Sequence, residues 1–96
     1  MNKYKVHIAS QVYANFTEIF ENKLNYHSPS AFKFAEGFFE NIDKLSIFPN
    51  RWFNLKNNLK AKLYKWCLII YKVKNLEVQI IDIIDPREYT KSKKYL

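Results

Sequence analysis

The 96-residue sequence contains one cysteine, one glycine and two histidines, and each scarcity excludes a class of site. A single cysteine cannot form an internal disulfide, so the fold must rest on its own core. One glycine cannot build a glycine-rich phosphate loop. His7, His27 and Cys67 are scattered along the chain and make no ligand-spaced cluster. We therefore expect neither a metal site nor a cofactor.

Long apolar runs and targeting signals are also missing from the sequence. No run approaches the roughly 18 apolar residues of a membrane-spanning helix, and the first residues lack the apolar core of a secretory signal. We therefore expect a cytoplasmic location and no membrane partner. With 48% hydrophobic and 18% aromatic residues, the chain is too apolar to be disordered. Its length suits a single domain over residues 1–96, with a basic tail over about 87–96.

Acidic residues are fewer than basic ones, 9 against 16, which gives a formal net charge of +7. The charge is unevenly distributed, because residues 1–46 are neutral overall and the whole excess lies in residues 47–96. This asymmetry indicates an anionic partner for one face. Nucleotide bias in the gene is an alternative source of so many lysines.

Hydrophobic periodicity predicts the elements. Alternation over residues 4–9 predicts a strand. Apolar residues at helical spacing predict a first helix that ends around residues 25–27 and a second that Phe48-Pro49-Asn50 stops. Ser10 and Ser28 are the expected N-caps, and Gly37 is expected to permit close approach of the first helix. Residues 50–58 are expected to form a loop, and three strands follow, over 59–64, 66–73 and 77–84. The order β-α-α-β-β-β predicts an α+β two-layer fold, in which an N-terminal strand and a helical hairpin pack on an antiparallel sheet.

A possible functional surface lies on the first of the three C-terminal strands. Lys60 and Lys62 are two positions apart, so their side chains share one face. We expect that face to be opposite the helices, with Ala61 and Leu63 turned toward them. Tyr64 continues the lysine face.

Two further cations lie before and after the three C-terminal strands. Lys56 precedes the first of these strands, and Arg87 follows the last, where a short tail can bring it over the sheet. A cationic and partly aromatic surface suits phosphate contacts and base stacking. The alternative interpretation is a solvated lysine face that binds nothing.

The ordered set of signals over about residues 4–88 resembles the RelE/ParE superfamily of toxins from bacterial type II toxin–antitoxin systems. The resemblance rests on Ser28-Pro29 at the start of the second helix, Phe48-Pro49 at its end, Lys60-Ala61-Lys62-Leu63, the apolar strand 68–73 and Asp85-Pro86-Arg87-Glu88. It implies a compact, microbial-ribonuclease-like toxin that a cognate antitoxin protein neutralises. RelE-like members cut messenger RNA in the ribosomal A site, whereas ParE-like members inhibit DNA gyrase.

The resemblance also implies candidate site residues. Lys60, Lys62 and Arg87 match the cations that hold and activate the scissile phosphate in RNA-cleaving members. Either lysine would then be the base and Arg87 the phosphate clamp. Tyr89 or Tyr95 would correspond to a C-terminal tyrosine of those enzymes.

The target is left open by one departure from the family pattern, since Leu68 stands where the family has a further arginine. The lysine pair slightly favours ribosome-dependent mRNA cleavage by a metal-independent endoribonuclease, an mRNA interferase. Its RNA-binding residues would be Lys56, Tyr64, Tyr89 and Tyr95. The alternatives are a ParE-like, non-enzymatic gyrase inhibitor and a degenerate member that only binds its antitoxin.

Overall fold

The computed structural model describes residues 3–95, apart from the side chain of Tyr89. Its strands and helices are β1 (Lys5–Ile8), α1 (Ser10–Tyr26), α2 (Ser28–Leu45), β2 (Phe53–Asn54), β3 (Leu59–Tyr64), β4 (Cys67–Lys74), β5 (Glu77–Ile84) and α3 (Tyr89–Ser92). The predicted α+β order is confirmed. The expected loop over 50–58 contains β2, the whole 3-10 turn Lys56–Asn58 and the last two residues of the 3-10 turn Pro49–Arg51. None of the helices described is long and apolar enough to cross a membrane.

The helical hairpin is held together by aromatic side chains. Helix α2 buries Phe34 and Phe38, and the Phe16 ring of α1 stacks on both, with centroid distances of 5.7 and 4.7 Å. His27 separates the two helices with an extended backbone and caps α2, because its Nδ1 accepts a bond of 3.3 Å from the Ser30 amide. His27 therefore has the capping role that was expected of Ser28. Ser10, the expected N-cap of α1, is instead the first residue of that helix. The N-cap position is Ala9, which makes no side-chain hydrogen bond to the helix.

The five strands form one sheet in the order β1-β5-β4-β3-β2. Strand β1 pairs in parallel with β5, and every other pairing is antiparallel, so the sheet is mixed. Between β4 and β5 the register shifts by one residue, since Ile70 faces Asp82 whereas Tyr71 faces Ile80. The bulge leaves Ile81 as the extra residue of β5.

Three of the four described residues with a positive φ angle are asparagines, in a chain that has a single glycine. Asn57, Asn58 and Asn75 adopt positive φ angles of 60°, 63° and 57°. Asparagine tolerates this left-handed region better than most residues. Lys65, in the tight turn between β3 and β4, adopts a φ of 54°, which is less usual for a residue of its type.

Both faces of the sheet carry a core. The larger cluster lies under the helices and includes Ile69, Tyr71 and Ile80. The smaller cluster, on the opposite face, consists of Ala61, Ile70 and Ile84, with five partly buried side chains around it: Leu55, Leu59, Leu68, Ile81 and Tyr95. The C-terminal tail therefore contributes to the second face.

The expected orientation of β3 is wrong. Lys62 pairs with Ile69 and Tyr64 with Cys67, and both partners belong to the cluster under the helices. Directly opposed residues share a face, so Lys62 and Tyr64 point to the helix side, while Ala61 lies in the opposite cluster. The alternation along β3 does not show which of its faces meets the helices, because the pairing with β4 decides that, and a shift of one position exchanges the two faces.

Candidate functional site

Lys60, Lys62 and Arg87 line three different clefts rather than one. Lys60 lies beside the short strand β2, where its Nζ donates a hydrogen bond of 2.6 Å to the Asn54 Oδ1. Lys72 from β4 lines the same cleft. The expected convergence of the three cations over the open face of the sheet is therefore absent from the described structure.

Arg87 follows β5 and is held by a neighbouring carboxylate. Its Nε and Nη2 donate to Asp85 at 3.0 and 2.7 Å, which makes a bidentate pair. This hydrogen bonding holds the pKa of Asp85 below its ordinary value. Arg87 itself is well exposed, and its cleft includes Trp66 and Lys23. The Lys23 ammonium lies 4.4 Å from the centroid of the Trp66 ring.

Lys62 occupies the most unusual environment of the three. Only 4% of the residue is exposed, and its Nζ lies 4.9 Å from the centroid of the Trp52 ring. Burial lowers the pKa of Lys62, and the positive charges of Lys44 and Arg51 lower it further. The cleft measures about 480 Å³ and is lined by Asn41, Lys44, Phe48, Arg51, Trp52, Lys62 and Leu63.

The proposed RNA-binding tyrosines have structural partners. The Tyr64 hydroxyl is buried and donates a hydrogen bond of 2.6 Å to the Phe34 carbonyl of α2, so Tyr64 is a link between sheet and helix and not an exposed stacking platform. The partly buried Tyr95 donates 2.6 Å to the Asp82 carboxylate. The side chain of Tyr89 lies outside the described structure.

Two other sequence candidates have simpler surroundings. Lys56 is exposed on the turn before β3. Leu68, at the position of a family arginine, pairs with Leu63 and Ile84 and packs on the smaller core cluster. The sheet face that the helices leave open therefore presents apolar side chains at this point.

The Lys62 cleft contains residues that sequence analysis did not select. Lys44 lies within the predicted second helix, and Arg51 and Trp52 lie within the predicted loop over 50–58. The adjacent basic and aromatic pair Arg51-Trp52, two residues after Pro49, was the available signal. What joins the three to Lys62 is the turn Pro49–Arg51, which returns the chain from α2 to the sheet.

Cys67 is a buried free cysteine. Burial raises the pKa of the Cys67 thiol to about 12, so the reactive thiolate is strongly disfavoured at neutral pH. Within residues 3–95, no group of three histidine, cysteine, aspartate or glutamate side chains is placed to hold a metal ion.

Comparison with known proteins identifies the fold. No family model matches the sequence, and no curated protein matches it. Among solved structures, a chain of the chromosomal ParDE TA system from P. aeruginosa superposes with a TM-score of 0.74 at 18% identity. The match covers 86% of this chain and 96% of that chain. The structure thus has the RelE/ParE-like fold that the sequence signals predicted.

Proposed function

We propose that this chain is the toxin of a bacterial type II toxin–antitoxin pair and that it inhibits its target by binding, as a ParE-like inhibitor of DNA gyrase. The fold supports the toxin assignment, through its likeness to a chain of a ParDE system. The observation that favours binding over RNA cleavage is the separation of Lys60, Lys62 and Arg87 into three clefts.

Phosphate cleavage by a ribose hydroxyl needs a base, charge stabilisation and a proton donor at one reacting centre. Here the Arg87 guanidinium is engaged by Asp85, and the Lys60 ammonium is engaged by Asn54. Lys62 has the lowered pKa that suits a base, but it faces Trp52 on the helix side. A protein contact as the inhibitory step needs no such convergence.

Messenger RNA cleavage is the second candidate, and one observation favours it. Lys62, Lys44 and Arg51 surround a single cleft, and closely spaced cations can stabilise a pentacoordinate phosphate. In this alternative the reaction would occur at the Lys62 cleft and not on the open face of the sheet.

The expected protein partner is a cognate antitoxin. Large aromatic side chains are exposed on the helical pair, with Tyr13, Phe32 and Phe39 at 50%, 62% and 49% exposure. An antitoxin segment with apolar anchors and acidic flanks would cover these rings and complement the net charge of +7. Such segments commonly fold on binding.

Two assays with purified protein separate the candidates. We expect the chain to block supercoiling of relaxed plasmid by gyrase and to leave messages intact in primer extension on translating ribosomes. Cut messages together with unimpaired supercoiling would reject gyrase inhibition in favour of the nuclease. Induced expression that leaves both processes and the growth rate unchanged would remove the toxin assignment.

A variant tests the role of the separated cations directly. Lys60→Gln with Arg87→Gln alters two side chains outside the cores, and Lys33→Gln with Lys5→Gln removes the same charge at exposed positions outside the Lys60 and Arg87 clefts. We expect both pairs to inhibit growth as the wild type does. Selective loss of toxicity in the first pair, with its fold intact by circular dichroism, would support a catalytic role for those cations.

A further inference from the structure

The Lys62 cleft combines a buried cation, two exposed cations and an aromatic ring. Lys62 extends from β3, Lys44 from the last turn of α2, and Arg51 and Trp52 from the turn between them. The Arg51 guanidinium carbon lies 5.9 Å from the Trp52 ring centroid, and the Lys62 Nζ lies 4.9 Å from it. Both charges are thus held beside one indole.

The charge in this cleft is not balanced within the described chain. The Lys62 ammonium makes no hydrogen bond or ion pair with residues 3–95, and its recorded contact is the face of Trp52. No carboxylate is among the side chains that line the cleft. Asp43, next to Lys44 in the sequence, is paired instead with Lys3 at 3.5 Å.

Lys62 is 4% exposed as a residue, and burial together with the charges of Lys44 and Arg51 disfavours the charged form of its ammonium at the cleft wall. An interaction with an indole face compensates for only part of the lost hydration. A dianion bound in the cleft that Lys62, Lys44 and Arg51 line would supply the missing counter-charge.

We propose that this cleft binds a nucleoside phosphate, with the phosphate monoester between Lys62, Lys44 and Arg51 and the base against the aromatic side chains of Trp52 and Phe48. The cleft volume of about 480 Å³ lies within the usual range for small-molecule sites. Phe48 is 50% exposed, so its ring is accessible to a base, and base–aromatic stacking tolerates any of the bases. The proposal does not rest on gyrase inhibition, and its cleft is the one in which the messenger RNA alternative would place its reaction.

Phosphate is favoured over a carboxylate ligand by charge and by geometry. Three cations meet at the cleft, and a phosphate monoester offers about two negative charges with three acceptor oxygens. The planar guanidinium of Arg51 can bind two of those oxygens at once. Free nucleotides and the 5′-phosphorylated end of an RNA share this chemistry.

Tryptophan fluorescence tests the proposal, because the chain has only two tryptophans. Trp66→Phe leaves Trp52 as the sole reporter, and the substitution retains an aromatic ring against Phe34. Adenosine 5′-monophosphate, a 5′-phosphorylated trinucleotide, adenosine and inorganic phosphate are titrated separately. We expect saturable quenching by both phosphorylated probes, weaker binding of inorganic phosphate and little response to adenosine.

The variants locate the binding to this cleft. In the Trp66→Phe background, Lys62→Gln and Arg51→Gln should each weaken adenosine monophosphate binding about tenfold or more, since each removes a charge-assisted contact. Lys33→Gln, an exposed charge on α2, should bind normally. Arg51 is exposed, so its variant remains informative if Lys62→Gln fails to fold.

Three outcomes would overturn the proposal. The first is no fluorescence change with either millimolar adenosine monophosphate or the phosphorylated trinucleotide, and the second is equal binding by Arg51→Gln and Lys33→Gln. The third is a response to adenosine as strong as that to its monophosphate. Quenching by only the trinucleotide, and not by the mononucleotide, would support the end of an RNA strand as the source of the phosphate.

Discussion

The single glycine provides the sharpest test of how helix α2 sits on the sheet. A methyl group added at Gly37 would overlap the Tyr64 hydroxyl oxygen and stand 3.2 Å from the Tyr64 Cζ. The hydroxyl cannot simply move away, because it donates a hydrogen bond of 2.6 Å to the Phe34 carbonyl and is buried. Gly37 thus accommodates Tyr64 of the sheet, whereas the sequence suggested an approach of the first helix.

Opposing contributions determine the effect of Gly37→Ala. Alanine is favoured over glycine in a helix interior by about 1 kcal/mol. Overpacking costs about 1–3 kcal/mol, and a displaced buried hydrogen bond costs about 1–3 kcal/mol more. We therefore expect a net loss of roughly 2 kcal/mol in the free energy of unfolding. Glu36→Ala, at the exposed neighbouring position, should change stability by less than about 0.5 kcal/mol.

A double-mutant cycle in urea isolates the contact. Tyr64→Phe removes the hydroxyl that the methyl group would overlap, so Gly37→Ala should cost about 1–2 kcal/mol less in that background than in the wild type. A stabilised Gly37→Ala variant would refute the reasoning. Additivity of the two substitutions within about 0.3–0.5 kcal/mol would refute it as well.

Other groups give further predictions. Tyr95→Phe removes the hydrogen bond to the Asp82 carboxylate and should lower the free energy of unfolding by about 1–3 kcal/mol in urea titrations; no measurable loss would show that the tail does not hold this contact. The Cys67 thiol, with its pKa raised to about 12 by burial, should resist Ellman's reagent at pH 8 until the protein unfolds; rapid labelling of the native protein would contradict its burial. Arg87→Gln should raise the pKa of Asp85, whose value the Arg87 hydrogen bond depresses, in a carbon-13 NMR titration. The depressed pKa stabilises the folded state at pH values above the ordinary aspartate range, and this contribution is lost as the pH falls through the folded-state pKa. The stability difference between wild type and variant should therefore vanish in acid. A difference that grows toward low pH would contradict the Arg87–Asp85 ion pair.

The predictable parts of the fold are those with one unambiguous apolar pattern. The stripe that includes Phe34 and Phe38 could only be the buried face of a helix, and it is. Strand β3 was harder, because Ala61 and Tyr64 lie on opposite faces and both are buried. Local pattern cannot choose between two such faces, since the pairing partners on β4 decide the matter.

The candidate site was predicted less well than the fold, for a related reason. Lys62 was selected as a candidate from its spacing to Lys60, but its neighbours come from the end of α2 and from the turn at 49–51. Lys60 and Lys62 do share one face of the sheet, because they pair with Tyr71 and Ile69 of the cluster under the helices, but the two side chains line different clefts. Which charges become neighbours depends on where a turn packs in the folded chain. The hydrophobic periodicity of the sequence does not encode that position.

An assay of DNA supercoiling by gyrase most directly tests the proposal that this chain inhibits gyrase by binding it. Purified wild type and the Lys60→Gln, Arg87→Gln pair are each added to gyrase with relaxed plasmid, and the same samples are added to translating ribosomes for primer extension. We predict equal inhibition of supercoiling by both proteins and uncut messages. Normal supercoiling, with messages cut by the wild type and spared by the variant, would contradict the proposed function.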